Sequence, residues 1–139
     1  MAEMLWQPSA ERIAAANMTA FRQAVEKQWG VDLPDFAALH AFSLDEMEKF
    51  WLTVRDFCDV RAESWGERVL IDGDKMPGAK FFPDARLNFA ENLLRRRDDT
   101  PALIFQAEDQ VKRQMTWNQL YDAVSVLAQA LKELGVGPG

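Results

Sequence analysis

Apolar residues recur at helical spacing through the first half of the chain. Phe21, Val25 and Trp29 are four residues apart and therefore share one face of a helix. Gly30 follows directly, and glycine commonly closes helices because it adopts the left-handed backbone conformation at little cost. Ser9 has the side chain and the position of an N-cap for a shorter helix upstream. The pattern therefore predicts two helices before Gly30.

The pattern after Pro34 predicts a short helical turn and then a long amphipathic helix. Ser43-Leu-Asp-Glu46 has the form of a capping box, in which the serine hydroxyl accepts from the Glu46 amide and the glutamate side chain bonds the Ser43 amide. The helix that begins there carries one apolar stripe with Trp51 near its centre. Such a stripe can line a cofactor, but core packing is the commoner explanation. The stripe consists of Leu44, Met47, Phe50, Trp51, Val54, Phe57 and Cys58.

The middle of the chain is rich in turn residues. Val69-Leu-Ile71 predicts at most a short strand, because Asp72-Gly73-Asp74 and Pro77-Gly78 are turn formers. The two aspartates also resemble part of a calcium loop, but the other ligand positions and the closing glutamate are missing, so we prefer a turn. Asn88 is placed to cap the next helix, with Glu91 as its reciprocal partner. The apolar side of that helix would consist of Phe89, Leu93 and Leu94.

The last forty or so residues predict a hairpin followed by a helix. Residues 102–105 and 111–115 favour two strands, with Glu108-Asp109 as the turn. Thr116-Trp-Asn-Gln119 is a second capping box, and Gly135 fits a Schellman ending. The apolar face between them consists of Leu120, Val124, Leu127, Ala128, Leu131 and Leu134. The elements together predict an α+β fold that is mostly α.

The composition is that of a globular chain of one domain's size, with 139 residues, 48% hydrophobic and 27% charged. No apolar run approaches the roughly 18 residues of a spanning helix, and the start lacks the features of a secretory signal, so we expect a cytoplasmic protein. A net charge of -6 argues against nucleic acid and anionic membranes as partners. The basic cluster Arg95-Arg96-Arg97 is expected to complement a helix C-terminus rather than to bind an anion.

A single cysteine and a single histidine restrict the chemistry. Cys58 has no partner for an intrachain disulfide, and one cysteine with His40 cannot form a closed zinc site, which typically takes four such ligands. A Cys-His nucleophilic pair is compatible with composition alone. However, Cys58 falls on the apolar stripe, where we expect a buried small hydrophobe. His40 is expected to be a packed or capping histidine.

Several segments resemble one family of enzymes. Ala85-Arg-Leu-Asn-Phe-Ala-Glu-Asn-Leu-Leu94 resembles the block that precedes the nucleotide-binding domain in the adenylate-forming acyl-CoA synthetases. Leu131-Lys-Glu-Leu-Gly-Val-Gly-Pro-Gly139 resembles the end of that domain's first helix. Leu5-Trp-Gln-Pro-Ser9 is similar to the start of the branch that activates acetoacetate. The other matching segments are Asn17–Phe21, Pro101–Phe105 and Met115–Leu120.

The resemblance implies an AMP-forming acid–thiol ligase that makes an acyl-adenylate from ATP and a small carboxylic acid, then passes the acyl group to CoA. ATP, Mg²⁺ and CoA are then cofactors of the parent enzyme. The family's phosphate loop, ribose-binding aspartate and adenylation lysine are expected beyond Gly139, so the chain is expected to be an N-terminal fragment without activity of its own. We therefore predict no catalytic, cofactor-binding or metal-binding residue in it.

The resemblance also predicts the domain organisation. Residues 1–97 would be an N-terminal helical region, and residues 98–139 the first hairpin and helix of an α/β adenylation domain whose remainder is the partner of this chain. The apolar face of the last helix is then expected to fold back on the helix of Phe50 and Trp51, or to self-associate. Two alternatives remain open: the N-terminal region of an acetyl- or propionyl-CoA synthetase, and a self-standing helical interaction module.

Overall fold

A computed structural model describes residues 6–108 and 112–137, which form six helices and two antiparallel strand pairs. The helices are α1 (Ala10–Ala14), α2 (Asn17–Trp29), α3 (Phe36–Asp45), α4 (Met47–Phe57), α5 (Phe89–Leu93) and α6 (Trp117–Glu133). The strands are β1 (Leu70–Ile71), β2 (Lys80–Phe81), β3 (Pro101–Gln106) and β4 (Lys112–Thr116). The predicted α+β class, mostly α, is confirmed. Within the described residues, no helix has both the length and the apolar character that crossing a bilayer requires.

The chain divides into two compact units, Met1–Leu87 and Asn88–Gly139. The first unit contains α1 to α4 and the short β1–β2 pair. The second unit contains α5, the β3–β4 hairpin and α6. Each unit has its own pattern of burial and hydrogen bonds.

The two helices predicted before Gly30 are confirmed. The Ser9 side chain accepts the Arg12 amide at 3.2 Å and caps α1. Gly30 ends α2 in the left-handed conformation, with φ at 67°. Phe21 and Val25 are buried on the inner face of α2, as their spacing predicts.

Helix α3 is longer than the short turn that the sequence predicts. Asp35 caps it by accepting the Ala38 amide at 2.8 Å. Leu39 and Phe42 are buried one turn apart, and this apolar face carries the helix on through Asp45.

The predicted capping box at Ser43 is wrong. Ser43 lies inside the last turn of α3, where its hydroxyl donates to the His40 carbonyl oxygen at 2.6 Å. The chain breaks instead at Glu46, with φ at -124° and ψ at 50°, and α4 begins without a side-chain cap. Burial of the α3 face keeps Ser43 helical, so its hydroxyl is not at a helix start.

The core of the first unit joins α2, α3 and the loop between them. Phe21 makes edge-to-face ring contacts with Phe50 and Phe57 of α4, at centroid distances of 5.5 and 5.3 Å. Full burial of side chains of this size contributes about 1.5–3 kcal/mol each. The buried cluster consists of Phe21, Val25, Leu33, Leu39 and Phe42.

The apolar stripe predicted from Leu44 to Cys58 is only partly buried. Phe50 and Val54 pack against the core, but Leu44 is 59% exposed and Trp51 is 37% exposed. Cys58 is exposed at the C-terminal cap of α4, so its prediction as a buried hydrophobe is wrong. The prediction assumed one continuous helix, whereas Leu44 belongs to α3 and Cys58 lies just past the last residue of α4.

A threonine, and not an apolar residue, is the fully buried side chain of α4. Thr53 accepts the indole N–H of Trp29 at 2.8 Å through its Oγ1. The hydroxyl proton lies within reach of Gln28 Oε1 and of the Lys49 carbonyl oxygen, each at 3.0 Å. This network joins α2 to α4 and satisfies a hydroxyl that would otherwise be costly to bury.

Residues 64–86 form an antiparallel excursion from the helices. Ser64 pairs with Arg86 at its base, and Leu70 pairs with Phe81 in β1–β2. The sequence prediction of a short strand before a turn is confirmed, since β1 is followed by a turn in which Asp72 has a φ of 54°.

The second unit confirms the predicted order of hairpin and helix. Leu103 pairs with Met115 in the β3–β4 ladder. Thr116 and Gln119 form the predicted capping box at the start of α6. At its end, Gly135 and Val136 donate to carbonyls of the last turn in the Schellman pattern. The predicted turn residue Asp109 and strand residue Val111 lie outside the described residues.

Burial on the two helices of this unit is sparse. Asn88 caps α5 as predicted, by accepting the Ala90 amide at 2.9 Å, but Phe89 is 75% exposed rather than packed. On the predicted apolar face of α6, Leu120 and Val124 are half-buried, close to the hairpin in sequence. The leucines nearer the C-terminal end of this face are exposed, namely Leu127, Leu131 and Leu134.

We expect Thr53→Val to destabilise the first unit although it preserves the shape of the side chain. The change removes the acceptor of the Trp29 indole N–H and leaves a buried donor unpaired, which costs about 1–3 kcal/mol. Guanidinium unfolding measures the loss. Thr53→Ser is the control: it keeps the hydroxyl and should cost about 1 kcal/mol for the lost methyl group. Equal losses in both variants would contradict the role of the hydrogen bond.

We expect Gly66→Ala to be among the costliest single changes in the excursion. Gly66 has a φ of 69°, and a Cβ there would lie 2.2 Å from the Asp84 Cβ. Backbone strain and overlap together should cost about 3 kcal/mol or more in denaturant unfolding. Gly30→Ala is the matched control, because Gly30 has a similar φ of 67° and a Cβ there would meet nothing within 4 Å. It should cost only about 1–2 kcal/mol, and a similar loss at both positions would refute the overlap.

Candidate functional site

An apolar groove of about 380 Å³ lies between α2, α3 and α4 in the first unit. Its walls are apolar, so it offers contact area to a hydrophobic group and little to a charged one. The walls include Met18, Phe21, Leu39, Phe50, Val54 and Phe57. Four other residues add polar atoms, and they are Asn17, His40, Ser43 and Cys58.

The serine of this groove is not arranged as a nucleophile beside the histidine. His40 is exposed, and its ring stacks on Phe36 at a centroid distance of 6.3 Å, so it is neither buried nor a helix cap. The Ser43 hydroxyl donates to the backbone of His40 and not to its ring. Such a pairing activates no nucleophile, because a general base must accept the hydroxyl proton.

A second apolar groove, of about 360 Å³, lies on the other flank of α4. Trp51 contacts Phe81 at a centroid distance of 5.1 Å, and Trp65 contacts Phe82 at 5.2 Å. Arg55 lies over the Trp65 ring at 5.2 Å and also pairs with the neighbouring Asp56 at 2.6 Å. The Trp51–Phe81 and Arg55–Trp65 contacts attach the excursion to α4.

An ion pair with two hydrogen bonds closes the excursion above its base. The Arg68 guanidinium donates to both carboxylate oxygens of Asp84, with Nε to Oδ2 at 2.7 Å. These hydrogen bonds lower the pKa of Asp84 below its ordinary value. The same interaction raises the pKa of Arg68. Because the charge of the guanidinium is paired with the Asp84 carboxylate, this pair acts as a structural clamp.

The basic cluster at 95–97 is also engaged with the chain itself. Arg95 donates to the Asn92 carbonyl at 3.0 Å, and Arg97 donates to the Leu94 carbonyl. The predicted role at a helix C-terminus is confirmed, since both carbonyls belong to the end of α5. Arg97 also stacks on Tyr121, at 3.2 Å from the ring centroid.

Asp98 and Asp99 form hydrogen bonds with the first turn of α6. The Asp98 carbonyl accepts the Asn118 amide at 3.1 Å, and the Asp99 carboxylate accepts the Asn118 side chain at 2.9 Å. The Asp98 carboxylate accepts the Thr100 hydroxyl and amide and, at 2.5 Å, the Arg96 guanidinium. The hydrogen bond from the Thr100 hydroxyl is the largest cause that lowers the pKa of Asp98 to about 2, followed by the one from Arg96.

The carboxylates of the described residues do not converge on a metal site. No group of three or more His, Cys, Asp or Glu side chains lies together in residues 6–108 and 112–137. Asp72, which the sequence places in a weak calcium-loop pattern, pairs with Lys75 at 2.9 Å within the predicted turn. The sequence predicts no catalytic, cofactor or metal ligand here, and this remains a prediction.

Two side chains that organise these surfaces were not singled out from the sequence. Thr53 lies on a helix face that looks polar by pattern, and Tyr121 is a single aromatic in a leucine-rich helix. The residues that they contact are 24 positions away in each case, at Trp29 and Arg97. A helical wheel carries no information on contacts of that separation.

Known proteins resemble this chain over nearly its whole length. Residues 36–93, from the first residue of α3 to the last of α5, match the family described as acetyl-coenzyme A synthetase N-terminus. An acetoacetyl-coenzyme A synthetase of Rhizobium meliloti is 44% identical over 97% of this chain and 21% of its own length. A malonamoyl-CoA synthetase of Penicillium aethiopicum is 32% identical over 98% of this chain and 20% of its own length.

A solved structure supports the same relationship. The acetoacetyl-CoA synthetase from Streptomyces lividans superposes with a TM-score of 0.86 and 42% identity, over 99% of this chain and 22% of that one. The predicted resemblance to the acyl-CoA synthetases is therefore confirmed, and the chain is related to the N-terminal region of that class of ligase. Within the class, it is similar to the N-terminal region of acetoacetyl-CoA synthetases. It spans about a fifth of the length of these relatives.

We expect Thr100→Val to raise the pKa of Asp98 from about 2 towards its ordinary value of 3.8, because the hydroxyl donor is lost. Carboxyl ¹³C NMR titration measures the shift, and Thr100→Ser should leave the pKa low. The pKa of Asp98 is depressed by folding, so its ionised form stabilises the fold above about pH 4. That contribution is lost as the pH falls towards 2. An unchanged pKa in Thr100→Val would contradict the assignment to the hydroxyl.

Proposed function

We propose that this chain is the N-terminal region of an acetoacetate–CoA ligase. The supporting observation is its 44% identity to an acetoacetyl-coenzyme A synthetase across 97% of the chain, with a solved relative of the same name at a TM-score of 0.86. The whole enzyme would join acetoacetate to ATP, release pyrophosphate and form acetoacetyl-adenylate. The CoA thiol would then attack the acyl carbon, and AMP would leave.

The acid is proposed to be one with a carbonyl group β to its carboxylate. Acetoacetate has this group, and so does malonamate, the acid that corresponds to the malonamoyl-CoA synthetase at 32% identity. Acetate and propionate lack it. The alternative of an acetyl- or propionyl-CoA synthetase is supported only by the broader family match over residues 36–93.

The role proposed for this chain is structural support of the adenylation domain. Residues 1–97 are proposed as its N-terminal helical region, and residues 98–139 as its first hairpin and helix. The observed division of contacts lies ten residues earlier, between Leu87 and Asn88. ATP, Mg²⁺ and CoA are proposed to bind elsewhere in the whole enzyme, which is proposed to be cytoplasmic.

The exposed leucines of α6 are evidence that another surface covers this face. Leu127 is 59% exposed and Leu134 is 79% exposed, on a helix that carries an unbroken apolar row. We propose that the remainder of the adenylation domain covers them, and that the isolated chain self-associates through them. A self-standing helical interaction module is the competing explanation for the same exposed face.

The whole gene product that contains this chain provides the test of function. We expect its kcat/KM for acetoacetate, measured by pyrophosphate release, to exceed that for acetate and for propionate by a large factor. The same measurement with malonamate tests whether the enzyme accepts acids that have a carbonyl group β to the carboxylate. Equal or better turnover of acetate would assign the protein to the sister branch, and a product without acid-dependent pyrophosphate release would favour the interaction module.

The 139-residue chain alone is expected to show no acetoacetate-dependent exchange of pyrophosphate into ATP. The measurement needs a host strain that lacks its own short-chain acyl-CoA synthetases, with heat-denatured chain as the blank. Exchange above that blank would contradict the proposal that the reacting groups lie outside this chain.

A further inference from the structure

The outer end of the excursion presents one methionine to solvent. Residues 72–79, termed the tip, connect β1 to β2. Met76 in the tip has a relative exposure of 101%, so its thioether contacts essentially nothing. The other methionines in the described residues are less open: Met18 is 54% exposed, and Met47 and Met115 are half-buried.

The tip is braced by its own hydrogen bonds, one of which spans Met76. The Lys75 amide donates to the Asp72 carbonyl at 2.9 Å, and the two side chains also pair at 2.9 Å. The Ala79 amide donates to the Lys75 carbonyl at 3.2 Å. These bonds fix the backbone around Met76, whose side chain is fully exposed.

The same tip shields a second methionine. A Cβ placed on Gly73 would lie 3.4 Å from the Met47 methyl carbon, so the Met47 side chain packs directly beneath the tip. A polar sulfoxide at Met47 would disturb that packing, whereas at Met76 it would meet only water and charged neighbours. The two sulfurs therefore differ both in access and in the consequence of oxidation.

We propose that Met76 is a modification site: of the described methionines, it is the one that hydrogen peroxide converts first to the sulfoxide. In this step the sulfur lone pair attacks one peroxide oxygen, the O–O bond breaks and an S–O bond forms. The sulfur loses two electrons, the peroxide is reduced to water, and the proton of the transferred hydroxyl goes to the departing hydroxide. A methionine sulfoxide reductase reverses the change.

The test treats the 139-residue chain with limiting hydrogen peroxide and quantifies each sulfoxide by peptide mass mapping, which separates oxidation of Cys58 from that of the methionines. Met76 should be oxidised about twice as fast as Met18, in proportion to exposed fractions of 101% and 54%. Met76→Leu should remove the fastest of the sulfoxides at the four described methionines, and the matched control Met18→Leu should leave it in place. Oxidation of Met18, Met47 or Met115 at a rate equal to or above that of Met76 would overturn the proposal.

The melting temperature of the singly oxidised chain provides the second readout. It should equal that of the unmodified chain, because the Met76 side chain packs on nothing. A lower melting temperature after oxidation at Met76 alone would show that the thioether contributes packing, and would contradict its open position.

Discussion

The hydrogen bond from the Trp29 indole to Thr53 is the contact on which the first unit depends. It lies where α2 and α4 meet, and it pairs the fully buried hydroxyl of α4. Apolar contacts tolerate sliding and rotation, but a buried donor and acceptor must meet at one register. The position of α4 therefore determines where Phe50 and Phe57 contact Phe21. It also determines where Trp51 contacts Phe81 of the excursion.

The break at Glu46 illustrates that the sequence predicts local features well and tertiary effects poorly. The helix caps predicted at Ser9 and Thr116 were confirmed. Each depends on hydrogen bonds among three or four adjacent residues, so the local sequence is enough to predict it. The capping box at Ser43 has an equally good local pattern. It failed because burial of Leu39 and Phe42 extends α3 past it, which is a tertiary effect.

The candidate surfaces follow the same division. The grooves on either side of α4 include Phe50, Trp51 and Phe57, which the sequence assigns to a core stripe. The aromatic residues of the excursion that line the second groove carry no such sequence signal. The hydrogen-bond partners of the charged residues were easier to predict. Arginines next to a helix end bond its last carbonyls because those acceptors are always present there, as Arg95 and Arg97 do. The relationship to the acyl-CoA synthetases came from family resemblance, because no residue pattern in the sequence predicts a ligand by itself.

The pairing of Ser64 with Arg86 has a consequence for how this protein can vary. The chain leaves the helical body and returns to it at adjacent points, and the Arg68–Asp84 pair closes the excursion just above them. Residues inserted beyond β1 and β2 would lengthen only the outer loop, since neither end of the excursion has to move. Doubling the length of such a loop costs about 0.6 kcal/mol of closure entropy. The excursion is therefore a place where relatives can differ in length while the body that carries it keeps its packing.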